Sequence, residues 1–182
     1  GMKGKRLIWG LGAYGRSKLA GERACFEEQA NTTIIRTGWL YSEFSSNFLT
    51  TMLDLMSRQT ELKVVDDQIG TPTYSHDLAR TILDFVNFVP KPEERVKEKA
   101  NVFLYHYANE GVASWYDFAL AIAEIAELQV DIIPIPSEQF PTPARRPNYS
   151  VLSKAKLKSQ MFTKIPHWRV SLTDCISRWR DQ

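Results

Sequence analysis

Gly10-Leu11-Gly12-Ala13-Tyr14-Gly15-Arg16-Ser17-Lys18-Leu19-Ala20-Gly21-Glu22 can be read in two ways, and the choice decides the fold. Tyr14 and Lys18 are four residues apart, which puts them on one face of a helix. A cation beside a phenol favours the phenolate, so the pair can deliver a proton to the alkoxide formed when hydride reduces a ketone. The same stretch also fits G-x-G-x-x-G, which cradles a pyrophosphate where it opens a helix after a strand. Two observations count against that second reading. The strand ahead of it, Lys5 to Trp9, is short and begins in basic residues. The next strand ends in Arg36, where a ribose-binding carboxylate belongs. Taken alone, Tyr-x-x-x-Lys also fits an amphipathic helix with a packed Tyr and a solvated Lys.

Outward from this stretch, the pattern alternates strands and helices, which predicts an α/β fold. Tyr14 to Gln29 reads as a helix with Leu19, Ala20, Ala24 and Phe26 available for packing. The β-branched run Thr32 to Thr37 reads as a buried parallel strand. Ser45 to Arg58 reads as a serine-capped helix with Phe48, Leu49, Met52, Leu55 and Met56 at core spacing. Leu62 to Val65 is a short strand, and Asp66 to Tyr74 a loop of turn residues. A helix from Ser75 to about Val89 points Leu78, Ile82, Leu83 and Val86 inward and stops at Pro90. Lys91 to Lys99 is a charged linker. Val102 to Ala108 is a strand, Ser114 caps a helix lasting to Leu128, and Asp131 to Ile135 is a further strand. Pro134, Pro136, Pro141, Pro143 and Pro147 mark a long irregular loop, a feature that in compact domains is usually functional. Two short helices, near Ser153 to Ser159 and Ser171 to Arg180, close the chain.

The 182 residues suffice for a real core, and 43% hydrophobic with 24% charged residues is ordinary for a globular protein. A net charge of +2 with scattered basic residues argues against a nucleic-acid or membrane-surface partner. No apolar run approaches the roughly 20 residues of a membrane span. Leu7-Ile8-Trp9 is too short an apolar core for a signal peptide, so a cytoplasmic location is expected. Cys25 and Cys175 lack ligand spacing and read as reduced, half-buried helix residues. No metal-ligand cluster is visible.

Three more stretches form an ordered series with the first: Thr33-Ile34-Ile35-Arg36-Thr37-Gly38-Trp39-Leu40-Tyr41, Asp67-Gln68-Ile69-Gly70-Thr71-Pro72-Thr73-Tyr74 and Arg145-Arg146-Pro147-Asn148-Tyr149-Ser150. Together they resemble the C-terminal two-thirds of the dTDP-4-dehydrorhamnose reductases, in the extended short-chain dehydrogenase/reductase superfamily. From about Tyr14 onward the resemblance covers nearly the whole chain. It implies a remnant of a Rossmann-type NAD(P)-binding fold joined to a smaller α/β substrate-binding domain. Residues 1–12 are then an atypical segment, 13–65 residual Rossmann elements, and 66–182 mainly the sugar-nucleotide part.

The resemblance implies NADPH- or NADH-dependent reduction of the C4 ketone of dTDP-4-dehydro-6-deoxy-L-mannose to dTDP-L-rhamnose, a step of polysaccharide biosynthesis. It makes Tyr14 the proton donor and Lys18 its activator and a ribose contact, which is a third reason against the dinucleotide fingerprint. It places Gly38 and Trp39 along the nicotinamide, with Trp39 also packing on the deoxysugar. Asn47, Gln68 and Thr71 fall to the substrate. Arg146, of the pair Arg145-Arg146, falls to its diphosphate, since guanidinium groups grip phosphate oxygens bidentately; Asn148 is a weaker candidate. In structural terms, Gly70 and Pro72 shape a turn, and Ser75 or Asp77 caps the following helix. His76 reads as a capping or surface residue, Tyr105-His106-Tyr107 as structural, and Trp168, Trp179 and Phe162 as core or C-terminal docking residues.

The chain departs from the family pattern at its start. Residues Met2 to Gly12 do not resemble the segment expected there, and only about a dozen residues precede a helix that a coenzyme-binding sheet should precede. The expectation is therefore weak coenzyme binding and little or no turnover by this polypeptide. Two alternatives stand beside it: a non-catalytic α/β remnant that self-associates through a strand edge, and a fragment of a nucleotide-sugar epimerase.

Overall fold

The computed structural model describes residues 12–28, 32–88, 103–142, 146–160 and 164–181. The expected strand Lys5 to Trp9, the first residues of the glycine pattern, the linker Lys91 to Lys99, Arg145 and Phe162 lie outside the described residues. The chain runs α1 (Ala13–Glu28), β1 (Thr33–Arg36), β2 (Leu40–Tyr41), α2 (Phe48–Met56), β3 (Glu61–Val65), β4 (Ile69–Gly70), β5 (Thr73–Tyr74) and α3 (Ser75–Phe88). It continues through β6 (Phe103–His106), β7 (Ala113–Ser114), α4 (Trp115–Ala126), β8 (Asp131–Ile135), a 3-10 turn at Ser137–Gln139, α5 (Ala155–Gln160) and α6 (Trp168–Arg180). This is the expected α/β architecture. β1 pairs in parallel with β6, β2 with β5, and β3 with β8, while β4 and β7 are antiparallel. The loop expected over Asp66 to Tyr74 thus contains two short strands.

Local chemistry sets the helix starts. Ser114 accepts from the Asp117 N–H while the Asp117 carboxylate accepts from the Ser114 N–H at 2.7 Å, a closed capping box. α2 has the same device, but its cap is Asn47 and not a serine. Asn47 Oδ1 accepts from Thr50 N–H, and its Nδ2 donates to the carbonyls of Ser42, Phe44 and Ser45. Ser45 cannot serve, because its backbone turns left-handed there (φ 58°).

The main core lies among α2, α4, α6 and β3. Leu49, Phe118, Ile122, Leu172 and Ile176 are essentially inaccessible to solvent. Phe118 meets Trp168 edge-on and stacks on Phe48. A second cluster, Phe85, Tyr105, Tyr107, Leu157 and Ile165, packs α3 and α5 on β6. A polar hub ties the two together. Buried Asn109 accepts from Tyr74 N–H at 2.8 Å and donates to Asp77 (2.8 Å) and Ser171 (2.9 Å). Beneath α6, the Tyr74 hydroxyl donates to the buried Glu43 carboxylate at 3.1 Å, and the Cys175 thiol approaches it at 3.7 Å. Burial, reinforced by that carboxylate, pushes the Cys175 thiol well above its ordinary range.

Several expectations are corrected. α3 turns Leu78, Thr81 and Phe85 inward, while Ile82, Leu83 and Val86 face out. The Phe85 ring packs edge-on against Tyr105, and Thr81 returns its hydroxyl to the Asp77 carbonyl, so size and local bonding outrank the count of aliphatics. β1 is half-buried, not buried, with Thr33 and Arg36 exposed. α1 buries no residue: Leu19 and Phe26 are half-buried, and Ala20 and Ala24 face solvent. Cys25 is exposed and Cys175 fully buried, so neither is half-buried. α6 starts three residues earlier than read, capped by His167, which accepts from Arg169 N–H.

Candidate functional site

β1 runs out at Arg36, and Thr37, Gly38 and Trp39 leave the sheet at its C-terminal end, where open parallel sheets bind ligands. Trp39 is held with a left-handed backbone (φ 52°), a conformation disfavoured for a bulky residue. What holds it is visible on both sides. Its indole stacks on Trp115 with centroids 3.6 Å apart and planes 5° from parallel. Gly70 lies so close that a Cβ there would overlap the indole at Cε2, Nε1 and Cζ2. Gly70 therefore does more than shape a turn: only its bare Cα admits the ring.

Two cavities adjoin this stack. The smaller, about 400 Å³, is lined by Thr37, Gly38, Trp39, Gln68, Trp115 and Arg146, with Pro147, Ser150 and Leu152 closing it. The larger, about 500 Å³, has apolar walls from Phe48, Met52, Leu55, Val64 and Trp115, with Lys63, Gln68 and Arg146 among its polar lining residues. Gln68, Trp115 and Arg146 line both, so they stand at the junction.

The proline-rich loop is fastened over the junction by backbone pairing. Ile69 N–H donates to Asn148 C=O and Ser150 N–H to Ile69 C=O, each at 2.8 Å. Gln68 Nε2 donates to Ser137 Oγ at 2.9 Å. The Asp67 carboxylate accepts from the Ser137 hydroxyl and its N–H, which hold that carboxyl below the usual carboxylate range. Arg146 itself is exposed and pairs with no carboxylate among the described residues.

The structure thus brings Gly38, Trp39, Gln68 and Arg146 to one place. Asn47 and Thr71 line neither cavity: Asn47 caps α2, and buried Thr71 donates to Gly111 C=O at 2.9 Å. Tyr14 and Lys18 meet each other, with the ammonium 5.3 Å from the ring centroid. They also line neither cavity, and Tyr14 is 76% exposed. His76 is half-buried and stacks on Tyr74. Sequence reading gave no role to Trp115 or Lys63, and read Phe48 only as a core residue. Trp115 carried a usable signal, since it follows a strong helix cap, where a tryptophan is held rigidly.

A nicotinamide coenzyme can be tested against these residues. Thr37, Gly38 and Trp39 line the smaller cavity at a strand's C-terminal end and are the residues that would face its nicotinamide end. No cavity wall described here offers a phosphate-binding turn for its other half.

The parallel strand pairs, with helices packed on them and a cavity at the C-terminal end of β1, define an α/β chain of the Rossmann-type class. The family model described as the RmlD substrate binding domain matches residues 9–180, and the chain belongs to that family. The chain is 38% identical over 161 residues to the spore coat polysaccharide biosynthesis protein SpsK of Bacillus subtilis, covering 88% of this chain and 52% of that one. It is 36% identical to a dTDP-4-dehydrorhamnose reductase of Burkholderia thailandensis, covering 91% and 58%. Among solved structures, it superposes on a dTDP-4-dehydrorhamnose reductase of Clostridium acetobutylicum with a TM-score of 0.81 at 37% identity, covering 92% and 55%. The corresponding values for the Bacillus anthracis reductase in complex with NADP are 0.79 and 34%, covering 91% and 54%. The chain spans about half the length of these relatives. A UDP-galactose 4-epimerase, at 17% identity and a TM-score of 0.70, shares the fold.

Proposed function

We propose that this chain is the sugar-nucleotide-binding part of a dTDP-4-dehydrorhamnose reductase, serving reduction of the C4 ketone of dTDP-4-dehydro-6-deoxy-L-mannose to dTDP-L-rhamnose. The observation that carries the proposal is Arg146 at the junction of a small cavity beside Gly38 and Trp39 and a larger apolar one. The diphosphate sits at the junction on Arg146, the sugar enters the smaller cavity, and the flat base enters the apolar one. Gln68 bridges them with its amide, and Trp115 walls both.

A nicotinamide coenzyme would supply the hydride for C4, and Thr37 and Gly38 would hold its nicotinamide end. Tyr14 Oη protonates the resulting C4 oxygen, and Lys18, close to the phenol, stabilises the phenolate left behind. In the described arrangement Tyr14 is exposed, so proton delivery requires α1 to seat against the cavity. Binding is therefore the part of the reaction these residues support best, and the reading of weak turnover by this polypeptide follows.

Calorimetric titration of dTDP into the purified chain tests the proposal. Binding is expected, and Arg146→Gln should weaken it by about tenfold, the value of a lost charge-assisted pair. Absence of dTDP binding, or equal affinity for the variant, refutes it. An assay with the keto sugar and NADPH separates a reductase from an epimerase.

A further inference from the structure

The larger cavity carries a second cation that the reading above leaves idle. Lys63 lies at the middle of β3, whose alternation buries Leu62 and Val64 and leaves Lys63 exposed. Lys63 and Arg146 are the charged residues lining this cavity, and no carboxylate lines it. Neither cation forms an ion pair among the described residues. The carboxylates closest along the sheet, Glu61 on the same strand face and Asp131 opposite it, are not cavity residues. The residue opposite Lys63 on β8 is Ile133, so cross-strand pairing does not neutralise it either.

Two exposed cations without a carboxylate partner, beside walls of Phe48, Met52, Leu55 and Trp115, make a positive site next to an apolar surface. Their placement is graded. Arg146 lines both cavities, whereas Lys63 lines only the larger one. An anion held by Arg146 alone has no reason to extend in either direction. An anion with two charged groups in series, one at Arg146 and the next toward the apolar chamber, meets both. A diphosphate linking a sugar on one side to a base on the other has that form.

We propose that Lys63 is a second anion-binding residue, gripping the nucleoside-side phosphate of a nucleoside diphosphate whose sugar-side phosphate is held by Arg146. This rests on the sugar-nucleotide reading above and adds to it a second phosphate contact on the side of the larger cavity. A lysine suits the role because its ammonium acts as a point charge on a flexible stem, where the guanidinium fork fixes geometry.

The test is calorimetric titration of dTDP, dTMP and thymidine into the wild-type chain and the Lys63→Gln, Lys63→Arg and Arg146→Gln variants, at low and high NaCl. Lys63→Gln should weaken dTDP about tenfold at low salt, change thymidine by less than about twofold, and flatten the salt dependence, since one screened contact is gone. Lys63→Arg should keep dTDP within about threefold, which also shows that the strand tolerates substitution. Unchanged dTDP affinity in Lys63→Gln overturns the assignment, and the sugar-nucleotide reading survives if Arg146→Gln still weakens binding. Equal loss of dTDP and thymidine overturns it too, by showing that the residue shapes the cavity and does not hold phosphate. A wild-type chain that binds none of the three removes both readings.

Discussion

α1 and α4 are helices of comparable length in the same chain, and they meet opposite fates. α4 buries Phe118, Ala119, Ala121, Ile122 and Ala123, is closed at its start by the Ser114–Asp117 box, and sets Trp115 at the cavity junction. α1 buries nothing. It is tied down chiefly by Glu22, whose carboxylate accepts two bonds from the Arg36 guanidinium at 2.6 and 2.7 Å, and by Thr32 donating to Cys25 C=O. The difference teaches how the chemistry is divided. Trp115, which lines both cavities, stands on a packed scaffold, while the phenol and ammonium that would move the proton ride on a helix held by surface polar bonds. Binding sites need preorganised walls. A proton donor on a loosely seated helix needs another surface to complete its position.

The comparison breaks hardest in the core. Phe118→Ala should cost about 3–5 kcal/mol, because a fully buried aromatic leaves a cavity among Tyr41, Phe48 and Trp168. Chemical denaturation measures it, and Phe26→Ala in half-buried α1 should cost far less. Equal losses would erase the contrast between the helices.

A smaller effect sharpens the view of the binding side. Gly70→Ala forces a methyl into the Trp39 indole and should cost about 1–3 kcal/mol, the usual range for overpacking. It should also part the Trp39–Trp115 stack, read as loss of the coupled indole signal in circular dichroism. Retention of that signal would show that Gly70 does not hold the tryptophan.

The smallest effect concerns α1. Glu22→Gln should change global stability by less than about 1 kcal/mol, as for ion pairs near the surface, yet hydrogen exchange of α1 amides should accelerate while α4 amides stay protected. The pH dependence has a definite sign. The Arg36 hydrogen bond holds the Glu22 carboxyl below its ordinary value, so its contribution is complete above the normal carboxylate range and is lost as pH falls through the lowered value. NMR shifts of α1 amides between pH 6 and pH 3 should follow that loss. Asp67, lowered by Ser137, should release the 137–139 turn in the same acid window.

Elements with self-contained signals were legible. The cap at Ser114 and the strand Asp131 to Ile135 appear where local patterns put them, because a capping box and a bounded apolar run need no distant partner. The gathering of Gly38, Trp39, Gln68 and Arg146 was legible only through family likeness, since nothing in their spacing joins residues up to about a hundred positions apart. The outward turn of Ile82, Leu83 and Val86 was not legible, because which stripe of α3 faces inward depends on Tyr105 and β6. Asn47 and Thr71 show the converse: plausible binding residues whose polar atoms are engaged by the neighbouring backbone.

The amino-acid order by itself determined the alternation of strands and helices, the cap at Ser114, and the placing of a phenol beside an ammonium, because each depends on atoms within a few residues. Tertiary packing alone decided that Trp39 is pinned between Trp115 and Gly70, that Lys63 and Arg146 share a chamber, and that Tyr14 stands in solvent. Those outcomes depend on which surfaces meet across long stretches of chain, and short-range patterns do not encode that meeting.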